Sequence, residues 1–332
     1  MSDSDNLWAL VLAAGDGRRL RGLTTTRSGL AIPKQFCSLE RGPSLLREAV
    51  TRAGAVAAPE RLCAIVAAQH RCWWDGQLAD LDPANVIVQP QNRGTAIGML
   101  LPLIHILERD PDARIVVLPS DHHVRDEARL ARALRYAAAP PPGERAEILL
   151  LGLEPTMADS QLGYIVPQRQ AGHPHHAVER FIEKPDTDAA ERLCEQGALW
   201  NTFIFAADGQ ALLKLFERRC PDILAALRDA VCREPAGRIP GEALASLYEA
   251  LPDLDFSRSI LQGQERRLRV LPIPDCGWSD LGTPQRVVEV LSALPRASWD
   301  DTRAAAGGLA VLSLAAQSAS VRHAPMAAAG GG

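Results

Sequence analysis

The sequence predicts a doubly wound α/β fold, a mixed and mainly parallel sheet with helices on both faces. Short runs rich in Val, Ile and Leu recur between residues 7 and 154, most of them bounded by Gly, Pro or Asp. Such continuous apolar runs suit strands buried on both faces of a parallel sheet. Helix-length patterns alternate with these runs, and a β-α-β-α-β-α-β order implies right-handed crossovers. After about residue 155 the strands show more alternation and the rhythm changes, which predicts a mixed extension of the same sheet.

The elements follow in order. LWALVLAA (7–14), RLCAIVAA (61–68), NVIVQP (85–90), RIVVLPSD (114–121) and EILLLGLE (147–154) read as strands. SLLREAVTRAG (44–54) begins at a Ser cap and ends in Gly, as a helix does. TAIGMLLPLIHILERD (95–110) is apolar around much of its circumference, so it is a buried helix. EARLARALRYAAA (127–139) is amphipathic. In the second half GYIVP (163–167), HAVERFIEKP (176–185), LWNTFIFAA (199–207) and RRLRVLPI (266–273) read as strands. AAERLCEQG (189–197), segments between 208 and 251, and a stretch opening at Thr283-Pro284 read as helices. The Ala, Gly and Ser of 297–332 form a low-complexity stretch that reads as a flexible tail, and no internal repeat is present.

Composition excludes several classes. Apolar residues make up 47% of 332, enough for a sizeable core. A net charge of −4 argues against nucleic acid or an anionic membrane as main partner, so any phosphate site is a local cluster of Arg and Lys. No apolar run reaches membrane-spanning length, and the N-terminus lacks the basic region of a signal peptide. Seven scattered cysteines without a C-x-x-C pair read as reduced, buried thiols of a cytoplasmic protein.

The most informative stretch is LAAGDGRRLRGL (12–23). Leu20 stands where a dinucleotide fingerprint needs its third glycine, and no Gly-Lys-Ser/Thr completes a P-loop. A plain strand-to-helix turn explains Gly15 and Gly17. It does not explain Arg18, Arg19 and Arg21, followed by Thr24 to Thr26, Arg27 and Pro33-Lys34-Gln35. Glycines let backbone N–H groups approach a phosphate, and the arginines and lysine supply charge. The loop therefore reads as a polyanion cradle. Asp121 ends a buried strand, where doubly wound sheets place ligands; a helix N-cap is the plainer alternative. His122 and His123 are adjacent and point apart, so His122 reads as supporting and His123 as surface. The His173–His176 cluster reads as a polar loop.

LAAGDGRRL with PKQF (33–36), PSDHH (119–123), LGYIVP (162–167), FIEKP (181–185), LWNTFIF (199–205), DFSRSIL (255–261) and CGWSDLG (276–282) occur in one order. Over roughly residues 7 to 293 this series resembles the sugar-1-phosphate nucleotidyltransferases, and most of all mannose-1-phosphate guanylyltransferases. The resemblance implies a Rossmann-like nucleotide-diphospho-sugar transferase domain over 5–296, with a nucleotide half (about 5–155) and a sugar-phosphate half (about 156–296). It implies in-line attack by mannose 1-phosphate at the α-phosphorus of GTP, release of pyrophosphate and formation of GDP-mannose. Another hexose 1-phosphate, or UTP, dTTP or ATP, is the nearest alternative; a non-catalytic sugar-nucleotide sensor is the alternative of another class. The family's Mg²⁺ is expected on Asp121 and Asp280, and a homodimer is consistent with the family.

Site residues follow from the same resemblance. Arg19, Lys34, Asp121, Lys184 and Asp280 are the expected catalytic set. The nucleotide is expected on Leu12, Ala13, Ala14, Gly15, Gly17, Arg18, Arg19, Lys34, Gln89, Arg93, Gly94, Thr95, Ser120 and Asp121. The sugar phosphate is expected on Gly163, Tyr164, Glu183, Lys184, Asn201 and Asp255. Arg19 and Lys34 are expected to be solvent-accessible before ligand binds. In the base loop Gly94 replaces the family's usual Asn, so guanine selectivity rests on the overall resemblance. Larger relatives add a C-terminal isomerase or β-helix domain, and neither pattern is present in this sequence, which predicts a monofunctional chain.

Overall fold

The computed structural model describes residues 6–26, 29–39, 42–141, 143–233, 239–294 and 311–312. Arg27 and, apart from Val311 and Leu312, the stretch from 297 lie outside these. The strands are β1 (Leu7–Ala13), β2 (Ser38–Leu39), β3 (Leu62–Ala67), β4 (Val86–Gln89), β5 (Arg114–Pro119), β6 (Ile148–Leu153), β7 (Gly163–Gln168), β8 (His176–Glu183), β9 (Leu199–Asp208), β10 (Leu268–Ile273) and β11 (Val311–Leu312). The helices are α1 (Arg21–Thr24), α2 (Leu45–Gly54), α3 (Arg71–Trp74), α4 (Gly94–Arg109), α5 (Glu127–Ala138), α6 (Thr187–Glu195), α7 (Gly209–Arg219), α8 (Pro221–Arg233), α9 (Glu242–Ala250) and α10 (Pro284–Ala293).

Among the described residues nine strands form one sheet in the order β4-β3-β1-β5-β9-β6-β10-β8-β7. β4, β3, β1 and β5 run parallel, and β6 pairs parallel with β10. β9 lies between β5 and β6, antiparallel to both. The second half therefore does not simply extend the edge of the first: β9 is wedged into the middle. Its opening residues also pair with β7, Trp200 facing Tyr164. One continuous sheet thus carries elements from both halves of the chain.

Strand β1 shows why helices cover both faces. Leu7, Ala9, Val11 and Ala13 point into a core packed by α2, α5 and α10. Trp8 and Leu10 point into a second core packed by α4, α7, α8 and α9. Apolar residues on every position of a strand demand this arrangement. The caps match the sequence pattern. The side chains of Ser44, Asp126, Asp186 and Thr283 accept hydrogen bonds from Arg47, Arg129, Ala189 and Arg286 N–H groups. Each satisfies a donor that a helix start leaves free.

Departures are local. Residues 265–267 form a single 3₁₀ turn, so β10 starts at Leu268. Ser257–Leu261 form a π-helical turn, seated on Phe256, which stacks on Phe205 with centroids 5.5 Å apart. In the C-terminal stretch Val311–Leu312 pair parallel with Ser38–Leu39, directly after the Pro33–Phe36 segment.

His105 sits in the middle of the buried α4. Burial, aided by the nearby Arg109, pushes its imidazole down to about 4. The unfolded side chain titrates near 6.5. Between these values the unfolded chain binds a proton that the folded one does not, so stability falls as pH drops through 6.5 toward 4. We expect wild type to lose about 1–2 kcal/mol more unfolding free energy than His105→Leu between pH 7 and pH 5. Urea unfolding of both proteins at the two pH values checks this, and an equal loss would contradict it.

Candidate active site

A cleft of about 300 Å³ opens along the carboxyl ends of β1, β4 and β5, and an adjoining lobe of about 490 Å³ shares several of its residues. Its first wall begins where β1 stops. Leu12, Ala14, Gly15, Gly17 and Arg19 line it. Gly17 has φ +62°, and a Cβ there would stand 2.8 Å from the Lys34 amide, so only glycine lets the loop close on Pro33-Lys34. Gln35 locks the contact by donating from Nε2 to the carbonyls of Gly15 (2.7 Å) and Ala13 (3.2 Å). Arg19 is exposed and makes no ion pair among the described residues. Arg18 lines the adjoining lobe and pairs with Asp16 at 3.0 Å.

Lys34 corrects an expectation. It is only 4% exposed, with its ammonium sunk between two segments distant in sequence. Nζ donates to the carbonyls of Asp280 (2.5 Å) and Leu281 (3.3 Å) and pairs with Asp121 Oδ2 at 2.9 Å. The backbone explains the meeting. His123 and Ser279 exchange two 2.9 Å hydrogen bonds, an antiparallel bridge that lays the extension of β5 beside the Gly277–Gly282 turn. Asp121 and Asp280 consequently face one cleft.

Their charges are compensated differently. Partial burial opposes ionisation of Asp121, but Lys34, with His122 and Arg19, outweighs it and holds the carboxyl below the usual range. Burial likewise opposes ionisation of Asp280, and Arg286, His122 and Lys34 overcome it. Asp280 Oδ1 accepts from Gly282 N–H (2.9 Å) and from the Arg286 guanidinium. Gly282 is required beside it, since a Cβ there would lie 2.4 Å from Asp280 Oδ2. His122 is buried, which pushes its imidazole down to about 4, against the pull of Asp121. Trp278 Nε1 donates to His122 Nδ1 at 3.2 Å, so His122 is the neutral Nε2–H tautomer. His123, expected at the surface, is buried instead, because its segment is a bridge partner of Ser279.

A second part of the cleft lies at the end of β4. Gln89 is fully buried, lines the cleft, and leaves Nε2 without a partner. Gly94 has φ +81°, and a Cβ would sit 2.2 Å from the Leu254 carbonyl. That contact accounts for glycine in place of asparagine. The loop is sewn to the 254–256 segment, with Ala96 N–H donating to Leu254 O (3.0 Å) and Phe256 N–H to Thr95 Oγ1 (2.8 Å). Arg93 does not face the cleft. It donates to the Tyr248 (2.7 Å) and Glu249 (3.0 Å) carbonyls at the end of α9, the ordinary post of a cation at a helix C-terminus.

The opposite wall gathers Gly163, Glu183, Lys184, Asn201 and Asp255. A Cβ on Gly163 would stand 2.6 Å from Glu183 Oε2. Burial raises the Glu183 carboxyl, opposed by Lys184, whose Nζ lies 3.3 Å from Oε1. Tyr164, expected here, is fully buried in a satellite core, and its hydroxyl accepts from Asp159 N–H at 2.8 Å. Ala13 and Tyr164 are thus internal supports, whereas Ser120, Thr95 and Gly94 reach the cleft. The described non-glycine residues with positive φ are Lys184, Phe203 and Leu281, and all three border the cleft or its lobe. Strained backbone concentrated at one cleft is what a functional site predicts.

Sequence reasoning missed Gln35, Asn92, Gln161, Phe203 and Trp278 as cleft residues. Trp278 lay inside a quoted motif, and Gln35 stood beside Lys34. Arg286 and Asp159, which brace Asp280, carried no signal in the sequence.

The family model for nucleotidyl transferase matches residues 8–296. The chain belongs to that family. It is 29% identical over 292 residues to the xanthan biosynthesis protein XanB of Xanthomonas campestris pv. campestris, covering 85% of this chain and 58% of that protein. It is 28% identical over 295 residues to the mannose-1-phosphate guanylyltransferase RfbM of Salmonella typhimurium, covering 82% of this chain and 56% of that one. The chain therefore spans less than two thirds of these relatives. A solved mannose-1-phosphate geranyltransferase of Thermus thermophilus superimposes with a TM-score of 0.70 at 27% identity, over 87% of this chain and 80% of that chain. No helix among the described residues is long and apolar enough to cross a membrane.

The burial contrast between Arg19 and Lys34 gives a stability prediction. Arg19→Ala should change unfolding free energy by less than about 0.5 kcal/mol, as exposed sites do. Lys34→Ala strands a half-exposed carboxylate and two carbonyls and should cost about 1–3 kcal/mol. Urea denaturation separates them; equal effects would contradict the burial of Lys34.

Proposed function

We propose that this nucleotidyltransferase joins GTP to mannose 1-phosphate, producing GDP-mannose and pyrophosphate. The observation that carries the reading is the convergence of Lys34, Asp121 and Asp280 at the nucleotide side of the cleft that Glu183, Lys184 and Asn201 line on the other. An oxygen of the sugar phosphate attacks the α-phosphorus, the bond to the bridging β-phosphate oxygen breaks, and pyrophosphate departs with that oxygen. No covalent intermediate with the protein is required, so alignment and charge stabilisation supply the rate.

Each side chain then has a task. The free guanidinium of Arg19 and the N–H groups of the Gly15–Gly17 loop take the β- and γ-phosphates. Lys34 leaves its carbonyl partners in part to meet the triphosphate. Lys184 takes the sugar phosphate, and Glu183 and Asn201 take hexose hydroxyls. Asp121 and Asp280 would hold Mg²⁺. Two ionised carboxylates on one cleft, with Asp280 Oδ2 not occupied by Arg286 or Gly282, suit a hard cation that fills its shell from phosphates and water. The chemistry such an ion would supply is neutralisation of charge developing on the leaving group. His122 stays neutral near pH 7 beside Asp121, its Nε2 3.7 Å from Oδ1.

The unpartnered Nε2 of Gln89 favours a base that offers a carbonyl. Guanine O6 and the O4 of uracil or thymine do so, whereas adenine presents an amino group. The named relatives tilt the choice toward guanine and mannose. The reading places the protein in the cytoplasm, where its seven free thiols stay reduced.

A matrix of GTP, UTP, dTTP and ATP against several hexose 1-phosphates, followed by pyrophosphate release, tests the proposal. GTP with mannose 1-phosphate should give the highest kcat/KM, and a maximum at another pair would overturn the assignment. Arg19→Ala should slow turnover roughly 30- to 1,000-fold, the usual cost of one lost charge-stabilising contact. Lys184→Ala should raise KM for mannose 1-phosphate more than KM for GTP. An equal rise would contradict the division of labour between the walls.

A further inference from the structure

We infer that Arg286 is a positioning residue that clasps the two walls of the cleft together. It lies on the first turn of α10 and does not itself line the cleft. Thr283 fixes that turn by accepting from Arg286 N–H at 3.3 Å, and Pro284 presets the helical backbone. The Arg286 side chain is 14% exposed. Its two terminal nitrogens go to different carboxylates, Nη1 to Asp280 Oδ1 and Nη2 to Asp159 Oδ2. Asp280 and Asp159 are 11% and 19% exposed, so both pairs are largely shielded from water.

The two carboxylates belong to opposite walls. Asp280 closes the nucleotide side beside Lys34. Asp159 organises the turn leading into β7. Its Oδ1 accepts from Gln161 N–H (2.8 Å), its N–H donates to Tyr164 Oη (2.8 Å), and its carbonyl accepts from Leu162 N–H (3.4 Å). Gln161, Leu162 and Gly163 then line the sugar side. The guanidinium is planar and presents parallel donors in a fixed fork, so it can hold two carboxylates at a fixed separation. A lysine at the same place would keep the charge and lose the span. On this geometry Arg286 turns Asp280 so that Oδ2 remains for a ligand, and sets how far the Asp159–Leu162 turn stands from it.

The kinetic arm of the test rests on the proposed reaction; the exchange arm does not. Hydrogen–deuterium exchange on the full chain compares wild type with Arg286→Gln, Arg286→Lys and Asp159→Asn. All three variants should exchange the amides of residues 159–163 roughly tenfold faster, the effect of losing a shielded charge-assisted bond. Peptides from β1 and β3 should be unchanged. In turnover assays, Asp159→Asn and Arg286→Lys should raise KM for mannose 1-phosphate roughly tenfold, with KM for GTP less than about twofold higher in Asp159→Asn. The Asp159→Asn/Arg286→Gln double variant should have no higher KM for the sugar phosphate than Arg286→Gln alone, as coupled residues behave. Unchanged exchange at 159–163 overturns the clasp, and so does a wild-type KM in Arg286→Lys. Should Arg286→Gln fail to fold, Asp159→Asn, which keeps the Arg286–Asp280 pair, decides by the same exchange readout. Absence of turnover in wild type would overturn the proposed reaction and leave the clasp to be judged by exchange.

Discussion

The buried ammonium of Lys34 is the constraint on which the site depends. A lysine held out of water must find partners for its charge and its donors. Here it finds the Asp121 carboxylate and the carbonyls of residues 280 and 281. Those partners belong to the end of a first-half strand and to a second-half turn, so one side chain fastens the two parts of the chain at the mouth of the sheet. The rest of the loop serves that placement. Gly17 permits the close approach, Gln35 ties the preceding backbone, and the bridge between His123 and Ser279 brings the acceptors within reach.

A pattern of matched charges runs along the cleft. Lys34 faces Asp121, Arg286 faces Asp280, and Lys184 faces Glu183. Each carboxylate is thereby kept ordered without a ligand. The exposed Arg19 stands apart from these pairs and is available to an incoming polyanion. On the proposed reading, the negative charges of a nucleoside triphosphate and a sugar phosphate share these paired cations. The left-handed backbone at Lys184, Phe203 and Leu281 holds this arrangement against local preference.

Much of this was legible in the sequence because the signals were local. Apolar runs located the strands to within a few residues, and Ser44 and Thr283 marked helix starts. The ordered motifs from LAAGDGRRL to CGWSDLG named most of the residues that line the cleft. What escaped was set by tertiary contact. Arg93, expected on the nucleotide, turns instead to the carbonyls at the end of α9, since that helix C-terminus offers acceptors that no local pattern reveals. Tyr164 follows a site glycine, but strand alternation sends its ring into the core. Lys34 reads as a loop cation and is buried by a segment 246 positions away. The position of β9 between β5 and β6 follows from pairing across the chain, and nothing in its own residues fixes it.

On the proposed reading, the Asp121 and Asp280 carboxylates beside Lys34 form one cation site that the triphosphate completes. A crystal structure of the protein with Mg²⁺ and a non-hydrolysable GTP analogue tests it most directly. We predict one ion within about 2.0–2.1 Å of a carboxylate oxygen from each of Asp121 and Asp280, with phosphate oxygens and water in the remaining positions. An ion held by phosphates alone, with both aspartates still paired to Lys34 and Arg286, would contradict the account.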